Sequence, residues 1–154
     1  SLINLVYNLG EMKRLLTYLL LILIPVLTSC ATTGTRDISM INFELPGDNE
    51  SALFFVRKKQ FVAGGQPSKI FVDDIEVSKI TSGQLDKIIV APGRHVIRTG
   101  IANVLGVGIL ADNVTVNTKN GSSHYFIINY DANLLAGKFN ITETTKDGFL
   151  QVLN

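Results

Sequence analysis

The sequence predicts an all-β domain of about seven or eight strands, and three observations indicate this fold class. From residue 51 onward, apolar and polar residues alternate along most of the chain, as happens when every second side chain of a strand faces a core. Clusters of Asp, Asn, Gly and Pro interrupt the alternation about every eight to twelve residues, which is typical of the turns of a sandwich or barrel. No part of this region shows a convincing hydrophobic stripe of helical period.

The alternation and its interruptions define the individual strands. The segments that fit the strand pattern are residues 52–56, 69–72, 76–80, 85–90, 94–99, 112–118, 124–130, 138–144 and 149–153, and we expect about eight strands among them. Asp73 and Asp74 separate the second strand from the third, and because Asp tolerates the backbone of a tight turn they predict a hairpin. Pro92 with Gly93, and later Gly121, mark further turns.

The alternation also predicts which side chains face the core. On the strand at 94–99, His95, Ile97 and Thr99 share one face, which we expect to point inward. The positions that we expect to be buried are Phe55 or Val56, Val72, Ile89 or Val90, Ile97, Val116 and Ile127.

The N-terminal region predicts a cleaved secretion signal at residues 12–29. A positive start at Lys13 and Arg14 precedes an apolar run over 15–27, which is too short for the ~20 residues of a membrane-spanning helix. Small residues end the run, and together these features are typical of a signal peptide. Residues 1–11 do not fit this plan, so we expect translation to start at Met12 and the preceding residues to be an upstream artefact.

The end of the apolar run indicates the kind of signal. Leu27-Thr28-Ser29-Cys30 is an aliphatic residue, two small residues and the only cysteine of the chain. This tetrad resembles the lipobox of bacterial lipoprotein precursors. The resemblance implies cleavage between Ser29 and Cys30, diacylation of the Cys30 thiol and usually acylation of the new amino group. An ordinary cleaved signal with a coincidental cysteine is the alternative.

The residue after the cysteine bears on localisation. In bacteria with two membranes, an Asp at this position is the usual inner-membrane retention signal of lipoproteins, whereas this chain has Ala31. The resemblance therefore implies the periplasmic face of the outer membrane.

A tether is expected between the lipidated cysteine and the strands. Residues 31–49 are rich in Thr, Ser, Gly and Asp and show little periodicity, so residues 30–50 are interpreted as an extended linker that holds a domain at 51–154 off the membrane. Ile41, Phe43 and Leu45 do alternate, which leaves an edge strand there as an alternative.

Composition and charge exclude several classes of protein. Hydrophobic residues make up 46% of the chain and charged residues 18%, which excludes a disordered protein. The chain has 14 Lys and Arg against 13 Asp and Glu, and removal of Lys13, Arg14 and Glu11 with the signal leaves equal numbers of each sign. No basic surplus remains to drive binding to nucleic acid or to an anionic membrane. With its only thiol acylated, the domain has no disulfide and depends on its core.

The turns and strands occur in an order that a known family shares. The motifs that carry the resemblance are Leu53-Phe54-Phe55-Val56-Arg57, Ile70-Phe71-Val72-Asp73, Pro92-Gly93-Arg94-His95, Val114-Thr115-Val116, Gly121 and His124-Tyr125-Phe126. Together they resemble the small bacterial lipoproteins grouped as domain of unknown function 2846 and, more remotely, the PEGA surface module. Asp74 departs from the pattern, because those families usually have glycine there, and so does His124, at the first position of a paired-aromatic strand.

The resemblance covers about residues 51–154. It implies an immunoglobulin-like or transthyretin-like antiparallel β-sandwich on an envelope lipoprotein. It brings no known enzymatic activity to this chain.

The residues themselves offer few candidates for chemistry. A metal or catalytic site would pair His95 and His124, the only histidines, with Asp73 or Asp112. We expect structural roles instead, with His95 hydrogen-bonded to a nearby backbone from a partly buried position. Asp73-Asp74 lacks the following acidic residues of a calcium loop and is interpreted as a turn.

Motifs for catalysis and for phosphate binding are also missing from the sequence. There is no Gly-x-Ser-x-Gly elbow and no free cysteine nucleophile. Gly64-Gly65 and Gly106-Val107-Gly108 lack the lysine or the helix that a phosphate-binding loop requires. We therefore expect no enzymatic activity, no cofactor, no metal and no nucleic-acid partner.

A long apolar segment, residues 100–111, lies where a sandwich needs only a polar connection. It either folds over one end of the sandwich and closes the core, or forms a contact surface. The candidate contact residues are Ile101, Val104, Leu105, Val107, Ile109 and Leu110.

These features predict a lipid-anchored envelope protein with a non-catalytic binding or scaffolding role. Its expected partners are the membrane, through the lipid anchor, and an envelope protein or peptidoglycan. A carbohydrate- or peptidoglycan-binding module, which calls for exposed aromatic side chains, is the first alternative. A small hydrolase is the second.

Overall fold

The computed structural model describes residues 32–62, 64–101, 112–132 and 137–153. The chain divides into two compact units, and all of these residues belong to the second, Thr32–Asn154. The predicted fold class is confirmed, since the described residues form a β-sandwich of eight strands followed by one short α-helix, α1. The elements are β1 Ser51–Arg57, β2 Ser68–Val72, β3 Ile75–Ile80, β4 Leu85–Val90, β5 Gly93–Ile101, β6 Asp112–Thr118, β7 Ser123–Ala132, β8 Gly137–Thr144 and α1 Lys146–Gln151.

The strands form two four-stranded sheets, with the orders β4-β1-β7-β8 in sheet A and β3-β2-β5-β6 in sheet B. Neighbouring strands are antiparallel except for β1 and β7, which run parallel with Phe54 opposite Tyr125. β1 therefore lies in the middle of sheet A, and all of its residues are buried. Because both faces of β1 are covered, residues 52–56 are continuously apolar rather than alternating.

The main core lies between the two sheets. It contains Leu53, Phe55, Ile70, Val72, Ile80, Ile97, Val116, Phe126, Ile128, Phe139 and Ile141. The predicted burial of Phe55, Val56, Val72, Ile97 and Val116 is confirmed. Of the pair Ile89 and Val90, Ile89 is exposed and Val90 packs against the core.

A second apolar layer covers the outer face of sheet A. The rings of Phe43 and Phe54 stack with centroids 5.1 Å apart, and those of Phe54 and Tyr125 stack at 4.9 Å. Phe149 of α1 meets this stack edge-on and is fully buried. Ile127, expected in the main core, instead points to this outer layer and is only partly buried.

The strand predicted at residues 149–153 is wrong, because this segment belongs to α1 and the turn after it. Thr145 caps the helix, with its hydroxyl accepting a hydrogen bond from Gly148 N. The helix has less than two turns, so its apolar side chains show no helical period in the sequence. No helix in the part of the chain that the structure describes is long and apolar enough to cross a bilayer.

Candidate functional site

Residues 32–35, the leading segment, join the edges of the two sheets. Thr33 N donates to Lys79 O of β3 at 2.9 Å, and Thr35 pairs with Leu85 of β4 through two backbone hydrogen bonds. Strands β3 and β4 are edge strands of sheet B and sheet A. The leading segment therefore covers one open side of the sandwich and satisfies edge groups that would otherwise face solvent.

The side chains of the leading segment are also fixed. The Thr33 hydroxyl lies 2.9 Å from Ser78 Oγ and donates to Asp86 Oδ2 at 3.1 Å. Gly34 packs so closely that a Cβ atom there would lie 2.5 Å from Cγ2 of Ile80, a fully buried residue. The segment is thus part of the folded domain.

This packing corrects the predicted tether at residues 30–50. Where the structure describes it, from residue 32 on, this stretch is packed against the sandwich rather than extended away from it. The edge strand left as an alternative at 41–45 is absent from these described residues. Ile41 and Phe43 instead pack on the outer layer of sheet A, while Leu45 is exposed.

The β3–β4 turn, residues 81–84, connects the leading segment to the loop that follows β1. On one side, Gln84 Nε2 donates to Thr32 Oγ1 at 3.1 Å and to Gly34 O at 2.9 Å. On the other side, Ser82 Oγ accepts from Gln60 N at 2.7 Å, and Ser82 N donates to Gly64 O at 3.2 Å. The leading segment, the β3–β4 turn and the loop after β1 therefore lie together at one end of the sandwich. We call it the proximal end, because the first described residues of the chain lie there.

Arg57 fixes the start of the loop at the proximal end. Its guanidinium is buried, donates through Nη1 to Gln66 O and to Ile80 O, and lies 4.6 Å from the ring centroid of Phe139. Burial lowers the pKa of Arg57 to about 10, so the side chain stays charged at neutral pH. The bonds to two carbonyl oxygens and the contact with the Phe139 ring fix the position of this junction.

The 58–62 loop follows Arg57 and is the most exposed part of the proximal end. The Phe61 side chain is 102% exposed and that of Val62 is 54% exposed. Lys58 and Lys59 are also exposed. Phe61 is the only exposed aromatic residue among those that the structure describes.

A cavity of about 210 Å³ lies at the same end. Arg36 and Lys59 contribute its cationic groups, and the other lining residues are Ile38, Val56, Gly83, Val152 and Leu153. The cavity is therefore apolar with two cations.

The two histidines have different partners. His95 Nδ1 lies 2.7 Å from Asp73 Oδ2, and Nε2 lies 2.8 Å from Ala91 O, which is the expected kind of backbone partner. Burial lowers the pKa of His95, but the bonds to Asp73 and Ala91 and the Asp73 charge outweigh burial, so the pKa is raised above 6.5. Both ring nitrogens face acceptors, which favours the doubly protonated ring.

Near the other histidine, the structure joins three residues that the sequence analysis did not group. His124 Nδ1 lies 2.7 Å from Glu143 Oε1, and Nε2 lies 3.2 Å from Ser122 Oγ. This is the order of acid, base and hydroxyl in a nucleophilic triad. No sequence motif indicated it, because Glu143 lies on β8, whereas Ser122 lies in the turn before β7 and His124 lies on β7.

The surroundings of Ser122 favour a structural role for this trio. Ser122 Oγ accepts a hydrogen bond from Lys119 N at 3.0 Å, so the hydroxyl closes the turn before β7. The amides of Gly121 and Ser122, next to the hydroxyl in the chain, already donate to Glu50 O and Lys119 O. They are therefore not available as the donors that stabilise an oxyanion.

Asp112 and the Asp73-Asp74 turn have structural partners too. Asp112 Oδ2 accepts from Ile141 N, and its Oδ1 lies 3.8 Å from Lys138 Nζ. Asp73 and Asp74 have φ values of 49° and 69° and form the predicted two-residue hairpin between β2 and β3. In the part of the chain that the structure describes, no three His, Cys, Asp or Glu residues are grouped so that they could hold a metal ion.

Several predicted functional residues lie outside the described residues. They are Ser29 and Cys30, with the signal at 12–29, and the contact candidates Val104, Leu105, Val107, Ile109 and Leu110. Ile101 is described only as the last residue of β5, where it pairs with Ser68 of β2. Ser68 also pairs with Ile80, beside the β3–β4 turn, so β5 ends at the proximal end of the sandwich.

Comparison with known proteins adds no family assignment. No protein-family model matches the sequence, and no curated protein is significantly similar to it.

Proposed function

We propose that this chain is a lipid-anchored protein of the bacterial envelope with a non-catalytic binding or scaffolding role. The observation that carries the proposal is Leu27-Thr28-Ser29-Cys30 at the end of an apolar run with a positive start. The resemblance of residues 51–154 to the lipoproteins of domain of unknown function 2846 supports the same class. Two or three acyl chains at Cys30 anchor the protein stably to a membrane.

Metabolic labelling with radioactive palmitate tests the anchor. Wild-type protein incorporates the label, whereas Cys30→Ser removes the thiol and leaves an unlabelled, unprocessed or soluble protein. Ser29→Ala is the matched control, because alanine is also small and keeps the tetrad intact. Equal labelling of wild type and Cys30→Ser contradicts the proposal.

The localisation has its own test. We propose the periplasmic face of the outer membrane because Ala31, rather than Asp, follows the cysteine. Separation of inner and outer membranes on a sucrose gradient should recover the wild type with the outer membrane. Ala31→Asp should move the protein to the inner membrane, and identical distributions of the two proteins contradict this part of the proposal.

A contact role for the apolar segment belongs to the same proposal. Residues 101–110 are mostly apolar and glycine-rich, and a protein partner in the envelope suits such a surface. Leu105→Asp and Ile109→Asp should leave the melting temperature nearly unchanged and abolish recovery of the partner from detergent-solubilised envelopes. A large loss of stability in both variants shows instead that the segment closes the core, since an unpaired buried charge is costly.

A further inference from the structure

We propose that the 58–62 loop contacts the bilayer that holds the acyl chains of Cys30, with Phe61 and Val62 among the lipid headgroups and Lys58 and Lys59 beside the lipid phosphates. This inference rests on the proposed lipid anchor and specifies how the domain is oriented on the membrane. The sandwich then stands on its proximal end, with the Asp73-Asp74 hairpin facing away from the membrane.

The first argument is the short distance between the lipidated residue and the folded domain. Consecutive Cα atoms are about 3.8 Å apart, so the Cα of Cys30 lies within about 7.6 Å of that of Thr32. Thr32 accepts a hydrogen bond from Gln84, and Thr33 is bonded to β3. Acylation of Cys30 therefore holds the proximal end at the membrane surface, because no free linker remains to separate them.

The second argument is the position of the exposed apolar side chains. Gln60 is bonded to Ser82, and Gln84 in the same turn is bonded to Thr32. The residue after Gln60 is Phe61, which is fully exposed. Apolar side chains beside a lipid anchor enter the boundary between headgroups and acyl chains, which extends about 5–10 Å. Phe61 and Val62 are adjacent and both exposed, so they form one apolar patch that a bilayer can cover.

The third argument is local charge. Arg36, Lys58 and Lys59 have no carboxylate within ion-pair distance among the described residues. Asp37, next to Arg36, instead accepts hydrogen bonds from the amide and the hydroxyl of Ser39. Lysines that flank apolar residues place their ammonium groups at the level of lipid phosphates. The loop is therefore locally basic, as a contact with lipid phosphates requires, although the domain as a whole has no excess of basic residues.

Tryptophan fluorescence tests this orientation, because the chain has no natural Trp. Phe61→Trp places a single reporter in the loop, and Ile75→Trp places the control beside the hairpin at the other end, where Ile75 is 68% exposed. Both lipidated full-length proteins are reconstituted into vesicles of phosphatidylethanolamine and phosphatidylglycerol. Part of the lipid is brominated near the glycerol backbone, so that it quenches only reporters in the interface.

We expect the Phe61→Trp protein to lose most of its emission to brominated lipid and the Ile75→Trp protein to lose almost none. Equal quenching of the two proteins overturns the inference, and so does a loop reporter that responds to peptidoglycan fragments but not to brominated lipid. Mass spectrometry of each protein first establishes the acyl groups on Cys30. Lipidated Phe61→Trp protein whose emission is not quenched refutes only the orientation, whereas protein without acyl groups refutes the proposed anchor and the orientation with it.

Discussion

The two ends of the sandwich are closed in different ways. At the end with the Asp73-Asp74 hairpin, short turns are held by their own polar side chains: Asp73 Oδ1 accepts from Val96 N, and His95 bonds to Ala91 O. At the proximal end, a separate piece of chain, the leading segment, bridges two edge strands. The hairpin end is complete in itself, whereas the proximal end depends on residues that come just after the proposed anchor.

The ends also differ in what they expose. The turn at the hairpin end presents charged groups, such as Asp74 with its partner Arg98. The proximal end presents Phe61 and Val62. Ile75 is exposed at the hairpin end too, so what distinguishes the proximal end is the exposed aromatic ring of Phe61 close to the proposed anchor. Variants at either end test how each is held together.

The largest effect is expected at Gly34 in the leading segment. A Cβ atom there would lie 2.5 Å from Cγ2 of Ile80 and 3.1 Å from Leu85 O. Ile80 is fully buried and β-branched, so it cannot move aside easily. Gly34→Ala should therefore lower the free energy of unfolding by about 1–3 kcal/mol, as overpacking does.

Urea denaturation of Gly34→Ala measures this loss, and Gly65→Ala is the matched control. Gly65 also lies at the proximal end, but a Cβ atom there would meet nothing within 4 Å. Its replacement should be neutral or slightly stabilising. If Gly34→Ala is as stable as Gly65→Ala, the leading segment does not pack as the structure shows, and the domain can move away from the proposed anchor.

The sequence predicted the hairpin end far better than the proximal end. The Asp73-Asp74 turn and the alternation of β5 are local signals, and both are confirmed. The packing of the leading segment is not local, because Gly34 approaches Ile80, which lies far away in the sequence. A run of Thr and Gly therefore looks like a linker until its partners are known.

The outer layer of sheet A was missed for a similar reason. Ile127 and Phe149 are apolar in positions that fit either face of a strand, and only the tertiary structure shows that sheet A is covered on both sides. The continuous apolar run of β1 was the one signal of this double covering. The trio of Ser122, His124 and Glu143 could not be predicted, because the pairing of β7 with β8 brings it together.

An intermediate effect is expected from pH at the hairpin end. The pKa of His95 is raised above 6.5, so its contribution to stability is fully present below pH 6.5 and is lost as the pH rises through the folded-state pKa. The bond from Val96 N, and then that with His95, lower the pKa of Asp73 below 3.8. The contribution of Asp73 is present above pH 3.8 and is lost as the pH falls through the lowered pKa.

Both contributions are therefore present between pH 3.8 and 6.5. Denaturation curves recorded across neutral pH should show the wild type losing stability as the pH rises, while His95→Gln, which cannot titrate, loses this slope. Asp73→Asn tests the contribution of Asp73 to the raised pKa of His95, because Asn tolerates the positive φ but carries no charge. A slope that survives in both variants shows that other groups produce the pH dependence.

The smallest effect is expected at Asp74, the second residue of the hairpin. Its φ of 69° is a backbone conformation that costs most side chains about 1–2 kcal/mol but is free of strain for glycine. The polar contact that Asp74 makes is an exposed ion pair with Arg98, a kind of contact that contributes little. Relief of this strain is offset in part by the roughly 0.5–1 kcal/mol that glycine loses in conformational entropy on folding. Asp74→Gly should therefore raise the free energy of unfolding only slightly, by about 0.5 kcal/mol.

Asp73→Gly is the matched control, since Asp73 also has a positive φ, of 49°. Glycine relieves the backbone there too, but it removes the carboxylate that binds Val96 N and His95. These bonds hold the turn onto β5, so Asp73→Gly should destabilise the domain while Asp74→Gly does not. Thermal melting of the two variants at pH 6 separates the contributions of backbone and side chain at this end. Equal changes of the melting temperature in both variants would mean that the bonds of the Asp73 carboxylate contribute nothing to stability.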